Sequence, residues 1–107
     1  MLFTTIRVRI SYRSLRPGTP AHALVRESVL RQRAVSAQAV IRRAKTPEER
    51  RRAQWRMAAA EQELRKIVAR REYRNTLPER HRAGFDGLSP RQQDQLLQVV
   101  RSASGSG

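Results

Sequence analysis

Apolar residues recur along the chain with two different spacings, and these spacings predict where its elements lie. Residues 2–12 alternate between apolar and polar side chains, which fits a strand. The spacing of Phe3, Ile6 and Ile10 fits one face of a helix as well. A strand here would need a partner's sheet edge or its own copy, because no second strand pattern follows. That requirement slightly favours the helix.

A break at residues 17–20, with two prolines and a glycine, precedes a long helix predicted over residues 21–44. One narrow apolar stripe follows that helix at spacings of three and four residues. Its members are Leu30, Ala34, Ala37, Ile41 and Ala44. Their small side chains would allow another helix to approach closely.

A capping box predicts the start of a second long helix. Thr46 suits the N-cap, Pro47 the first helical position and Glu49 the third, where it completes the box. The helix is predicted to end near Asn75. Trp55 lies off its apolar stripe and therefore either packs against a second neighbour or is an exposed contact. The stripe consists of Ala53, Met57, Ala60, Leu64 and Ile67.

The remaining residues predict a loop, a short helix and a tail. Residues 76–88 contain a proline and two glycines and are predicted to be a loop. Ser89 and Gln92 form a second capping box. It opens a short helix that carries Leu96, Leu97, Val99 and Val100. Residues 102–107 have the composition of a flexible tail.

These patterns together predict an all-α protein. A connection of two or three residues at Lys45 would fold the two long helices into an antiparallel hairpin. A short C-terminal helix and an N-terminal basic arm complete the prediction, which divides the chain into an arm at 1–19, a helical domain at 20–101 and the tail. Only five residues are aromatic. We therefore expect a thin core that depends on a partner for much of its stability.

Charge adds the clearest indication of what the chain binds. It contains 21 arginines, two lysines and nine acids, for a formal net charge of +14. Such an excess favours an acidic partner or a polyanion. Arginine also suits bidentate contacts to carboxylates and phosphates, although a GC-rich genome would give the same bias. The chain has no cysteine, which excludes disulfides, thiolate metal sites and cysteine nucleophiles.

The first 26 residues contain no acid and several hydroxyl side chains. This composition is typical of a mitochondrial targeting segment, and it fits an ordinary basic strand or helix equally well. We expect the protein to be located in the mitochondrial matrix. The N-terminal segment could then be an import signal that is not cleaved. No apolar run approaches the length of a membrane span.

Catalysis finds little support in the sequence. The acids lie among arginines at helical spacing, as on a solvated helix face, and no glycine-rich phosphate loop is present. His22 and His81 do not have metal-ligand spacing. We therefore expect a non-enzymatic protein without catalytic residues, metal or cofactor.

Clustered arginines make nucleic-acid binding one hypothesis. Such a surface could neutralise several phosphates, as in a ribosomal or mitoribosomal protein bound to RNA. Few aromatic residues lie between the basic ones, so stacking on single strands is not predicted. The candidate phosphate contacts are Arg7, Arg9, Arg42, Arg43, Arg50, Arg51, Arg52 and Arg56, with a second cluster at 70–74.

Two family resemblances sharpen these hypotheses. Residues 6–10, followed by helices, resemble a ribbon-helix-helix DNA-binding unit, in which Thr5, Arg7 and Arg9 would face the major groove. The segment from there to Ser36 is longer than that family's.

The second resemblance covers residues 11–100. The segment from Ser11 to Arg16 is similar to the signature of the LYR-motif family of small basic mitochondrial helical proteins, with Tyr12 and Arg13 at its centre. Ser11 stands where that family has leucine. The C-terminal half is most similar to the family's ATP synthase assembly factors.

The LYR-motif resemblance implies an assembly factor or accessory subunit of a mitochondrial complex. Its partner would be an acidic surface in a large complex or an assembly intermediate. Acyl carrier protein is one such partner in the family, although the departures from the motif weaken that docking in particular. The partner-binding residues implied are Tyr12, Arg13, Arg16, Arg70, Arg71 and Tyr73.

Overall fold

The computed structural model describes residues 15–105, and all of its regular structure is helical. Helix α1 spans Pro20–Arg43, α2 spans Pro47–Thr76, α3 spans Glu79–Asp86 and α4 spans Pro90–Gly105. No strand occurs within this range. The all-α prediction is therefore confirmed for the described residues. The choice between helix and strand for residues 2–12 lies outside them.

Three helices begin in the same way, with a hydroxyl residue at the N-cap and proline at the first helical position. The Thr46 hydroxyl accepts a hydrogen bond from the amide of Glu49 at 3.2 Å, and the Ser89 hydroxyl accepts one from the amide of Gln92 at 3.2 Å. The side chain of Gln92 returns a bond to the Ser89 amide at 2.9 Å, whereas that of Glu49 reaches the Lys45 amide at 3.3 Å. Both predicted helix starts are therefore confirmed, although only Ser89 and Gln92 form a reciprocal capping box.

The third such start was not predicted as a cap. The Thr19 hydroxyl accepts from the His22 amide at 3.3 Å, so α1 begins at Pro20. Hydroxyl caps satisfy amides that have no partner within the helix, and proline lacks one of those amides.

Replacing Thr46 with alanine is expected to lower the free energy of unfolding by about 1 kcal/mol, because the N-cap hydroxyl satisfies an otherwise orphaned amide. Urea unfolding followed by circular dichroism measures this change. Ser28, exposed in the middle of α1, is the control, and its replacement by alanine should be neutral or slightly stabilising. An equal loss of stability in both variants would contradict the capping role of Thr46.

The described helices form two compact units, divided within α1 and α2. One unit comprises residues 26–67. Its buried residues are Leu30, Ala37, Ala53, Ala60 and Ile67, all members of the two predicted stripes. Three of the five are alanines, each of which buries little more than one methyl group. The thin core expected from the sequence is therefore present in this unit.

A bidentate ion pair joins the two helix segments of this unit. Arg26 donates from Nε and Nη2 to the two carboxylate oxygens of Glu63 at 2.7 and 3.1 Å. The pair spans 37 residues of sequence and is partly exposed. Two parallel hydrogen bonds fix its geometry better than a single contact would.

The other unit comprises, of the described residues, 15–25 together with 68–105. Its described core contains Phe85, Leu97 and one polar residue, Gln93. The Gln93 side-chain nitrogen donates to the carbonyls of Gly18 and Phe85, both at 2.9 Å, and lies 3.4 Å from that of Leu88. One buried amide therefore ties together the turn before α1, the end of α3 and the turn before α4.

The loop predicted over residues 76–88 is wrong for most of its length, because Glu79–Asp86 is helical. Tertiary contacts outweigh the glycine and proline signals. The Phe85 ring is buried and packs against Tyr73, with centroids 5.5 Å apart. Arg74 also donates to both carboxylate oxygens of Asp86, at 2.7 and 2.9 Å. These contacts offset the roughly 1 kcal/mol that a glycine costs inside a helix.

The C-terminal helix is longer than its composition indicates. Helix α4 continues to Gly105, so residues 102–105 of the predicted flexible tail are helical. Once a capped helix has nucleated, each further residue adds one backbone hydrogen bond at low cost.

Candidate functional site

Six arginines surround the connection between α1 and α2, and we call them the arginine cluster: Arg42, Arg43, Arg50, Arg51, Arg52 and Arg56. All six side chains are exposed. Within residues 15–105, no carboxylate forms an ion pair with any of them. The cluster is therefore open to an external anion.

The stability of the helices does not explain this cluster fully. Arg42 and Arg43 occupy the last turn of α1, where cations interact favourably with the helix dipole. Arg50 lies in the first turn of α2, where the dipole disfavours cations, and the other three arginines of the cluster follow beyond the reach of that effect. A binding role would account for positive charge at this position.

Trp55 lies within the arginine cluster. It is the only tryptophan of the chain, and 76% of its surface is exposed. A shallow depression around it is lined by Glu48, Arg51, Arg52 and Arg56. Of the two sequence-based alternatives for Trp55, the structure supports the exposed contact within the described residues.

An open apolar groove lies in the same unit. Helix α1 lines it with Leu30, Ala37 and Val40, and α2 lines it with Ala59 and Ala60. The polar lining residues are Gln32, Arg33, Ser36, Arg56 and Glu63. Small apolar side chains bordered by two arginines form a surface that a helix with acidic edges would complement.

Arg70 and Tyr73, predicted from the family resemblance to bind a partner, make internal contacts. Arg70 donates from one guanidinium nitrogen to both oxygens of Asp94, at 2.9 and 3.0 Å, and its side chain is only 14% exposed. Tyr73 packs on Phe85, and Arg71 is half-buried. This patch is therefore less accessible than the arginine cluster.

The remaining predicted residues are divided between described and undescribed parts of the chain. Arg16 is exposed, and its carbonyl accepts hydrogen bonds from the amide and hydroxyl of Thr19 at 3.3 and 2.8 Å. The other four, Arg7, Arg9, Tyr12 and Arg13, lie outside the described residues.

Sequence reasoning missed the structural role of Arg74, which it had grouped with phosphate contacts. The hydrogen bonds that Arg74 donates to Asp86 raise the pKa of the guanidinium, so that its charge is held more firmly. In the sequence Asp86 lies between Gly84 and Gly87, and nothing there indicates this pairing. Gln93 was missed as well, although its position one turn before Leu97 places both on one helix face.

Two searches for other kinds of site gave negative results for the described residues. None of the four helices combines the length and apolar character needed to cross a membrane. No group of three acidic or histidine side chains between residues 15 and 105 is arranged to hold a metal ion.

Comparison with known proteins adds no relative. No protein-family model, curated protein or solved structure matches this chain. The arginine cluster, the groove beside it and the exposed tryptophan are therefore the features that support a function.

Proposed function

We propose that this protein is a non-enzymatic adaptor that binds an acidic helical segment of another protein. The observation that carries the proposal is the arginine cluster, six exposed cations without a described carboxylate partner, in the same unit as an open apolar groove. Charge in the cluster attracts the partner and the groove supplies the apolar contact.

The groove favours a protein partner over a purely electrostatic one. Protein interfaces combine an apolar centre with a polar edge and are enriched in arginine and tryptophan. Ala37, Ala59 and Ala60 would let a partner helix approach closely, while Arg33 and Arg56 would face acids along its edges. A second copy of this chain is disfavoured as the occupant, because residues 26–67 carry twelve basic and five acidic side chains.

An antiparallel hairpin of α1 and α2 is part of this proposal. The Arg26–Glu63 ion pair and the connection of three residues between Arg43 and Pro47 support it. In a hairpin, the basic end of α1 and the basic opening turns of α2 act as one surface.

The LYR-motif resemblance suggests the biological setting. A protein of that kind would act in the mitochondrial matrix, on an assembly intermediate of ATP synthase or another large complex. Acyl carrier protein is one candidate acidic partner. In this setting Tyr12, Arg13 and Arg16 would contact the partner, while Arg70, Arg71 and Tyr73 would keep the adjoining helices in position.

Blocking the groove tests the adaptor proposal. Replacing the exposed groove residue Ala59 with tryptophan should abolish affinity capture of the protein partner, because the large side chain fills the space meant for its helix. The matched control is the same change at Ala58, which is exposed but does not line the groove. Partners are identified by mass spectrometry after nuclease treatment.

Loss of one protein with Ala59→Trp and its retention with Ala58→Trp supports the adaptor. Equal capture by both variants, or the absence of any protein partner after nuclease treatment, would contradict it.

Nucleic-acid binding is the second candidate, in the form of an RNA-bound structural protein. The exposure of all six arginines favours it, since phosphates need no groove. Its affinity for unrelated duplexes should fall by orders of magnitude over a few-fold rise in salt. Binding that survives both nuclease and such a rise in salt would contradict it.

A further inference from the structure

The outward face of α2 presents one aromatic ring among three arginines. We propose that Trp55, with Arg51, Arg52 and Arg56, binds an unpaired nucleobase and its neighbouring phosphates on a single-stranded nucleic acid. This site goes beyond the adaptor proposal, because it uses the outward face of α2 and requires no groove. Only Arg56 lines both surfaces.

Helical spacing explains why these side chains meet. Arg51 and Arg52 lie one turn before Trp55, and Arg56 follows it directly. Residues three and four apart are neighbours on a helix surface. The four side chains accordingly line one depression, in which 76% of the Trp55 surface remains exposed.

The fold does not require an aromatic ring at this position. Within the described core, α2 contributes Ala53, Ala60 and Ile67, and Trp55 lies off that stripe. Tryptophan is also a weaker helix former than alanine at exposed positions. An indole left in water beside arginines is therefore better explained by a ligand than by packing.

A nucleobase fits this surface better than a membrane or a protein. Trp55 is the only apolar residue that lines this depression, because its other lining residues are Glu48 and three arginines. Insertion into a lipid interface and a protein contact both need a wider apolar patch. A base needs only an aromatic plane to stack on and cations for its phosphates.

One acidic residue restricts how the ligand can lie. Glu48 lines the depression two turns before Trp55 and would repel a phosphate there. We therefore expect a phosphate to lie on the Arg56 side of the ring, eight residues from Glu48, where Arg52 can reach it from one turn earlier. A short ligand of one base with its flanking phosphates meets this restriction.

Fluorescence of the full chain tests the site directly, since Trp55 is the only tryptophan. Titration with short single-stranded oligouridylate should quench its emission, and a strand of equal length made of abasic sugar-phosphates should not. By anisotropy of labelled oligouridylate, Trp55→Ala should weaken binding about tenfold, within the range measured for loss of one stacked base. Trp55→Phe should retain most of the affinity.

Two further variants control for charge and for general effects. The variant Arg52→Ala should have a slope of log affinity against log salt that is smaller by about 0.7, which is the value for one phosphate contact on a single strand. Replacing Val99, an exposed apolar residue of α4, with alanine should leave affinity unchanged.

Several results would overturn the stacking proposal. These are equal affinity for the abasic strand, unchanged affinity in Trp55→Ala, and a Trp55 response to anionic phospholipid vesicles or polyglutamate but not to oligouridylate. Failure here is separate from failure of the adaptor: Trp55 does not line the groove, so Trp55→Ala should weaken oligouridylate binding while leaving capture of the protein partner unchanged.

Discussion

Replacing Gly18 with alanine is expected to lower the free energy of unfolding by about 2–4 kcal/mol. Gly18 has a φ of 100°, a conformation that costs a residue with a β-carbon about 1–2 kcal/mol. An added β-carbon would also overlap the carbonyl oxygen of Leu88, which is backbone and cannot rotate away. Urea unfolding followed by circular dichroism at fixed salt measures the loss.

Gly84 is the matched control for this substitution. It lies inside α3, and a β-carbon there would meet nothing within 4 Å. Alanine should therefore stabilise the protein by about 0.5–1 kcal/mol through its higher helix propensity. If both alanine variants proved equally stable, the close approach of Gly18 to Leu88 would not hold.

Replacing Gln93 with leucine is expected to lower the free energy of unfolding by about 1–3 kcal/mol. The side chain is only 2% exposed, and its amide donates to the part-buried backbone carbonyl of Gly18 and to the buried one of Phe85. Leucine is similar in size but leaves the Gly18 carbonyl without this donor, whereas the Phe85 carbonyl keeps its bond from the Leu88 amide at 3.1 Å. A buried polar group that loses its partner costs about 1–3 kcal/mol. Glutamate should destabilise further, because an ionised carboxylate at this place would face carbonyl oxygens and could donate nothing.

Gln98 controls for the change in chemistry. It lies in the same helix but is exposed, so its replacement by leucine should change stability by less than about 0.5 kcal/mol. Thermal and urea unfolding of the two leucine variants give the comparison. A loss of similar size at both positions would show that the Gln93 hydrogen bonds are not what stabilises this corner.

The effects of substitutions at Gln93 and Gly18 on the free energy of unfolding should not be additive. Both contribute to one contact, since the Gln93 amide donates to the Gly18 carbonyl. Residues that share a hydrogen bond show interaction free energies of about 0.5–3 kcal/mol in double-mutant cycles. Combining Gly18→Ala with Gln93→Leu should therefore cost less than the sum of the two.

Local signals in the sequence were enough to place the long helices. The Thr46 cap and Pro47 predicted the start of α2, and the alanine-rich stripes contained all the buried residues of both long helices within the described chain. These signals depend on backbone geometry and on the helical period, which neighbours in the chain determine. The exposure of the arginine cluster followed from the same period, because its members lie off the stripes.

Such local patterns could not predict contacts between residues that are distant in sequence. Helix α3 forms despite Gly84 because two of its residues contact α2. Phe85 packs against Tyr73, and Asp86 accepts hydrogen bonds from Arg74. Arg70 was predicted from the family resemblance to contact a partner. In the structure it donates a hydrogen bond to the Asp94 carboxylate on α4. The charge of an arginine is visible in a sequence, whereas the carboxylate that pairs with it is decided by the fold.

The sequence by itself determined an arginine-rich, all-helical chain with two capped starts and two narrow alanine stripes, because caps and periodicity act over a few residues. The tertiary structure alone decided which arginines pair with carboxylates, that the Trp55 ring is exposed, and that the Gln93 amide joins three separate segments of the chain. Such pairings depend on distances between separate helices, and those distances are set only when the chain packs.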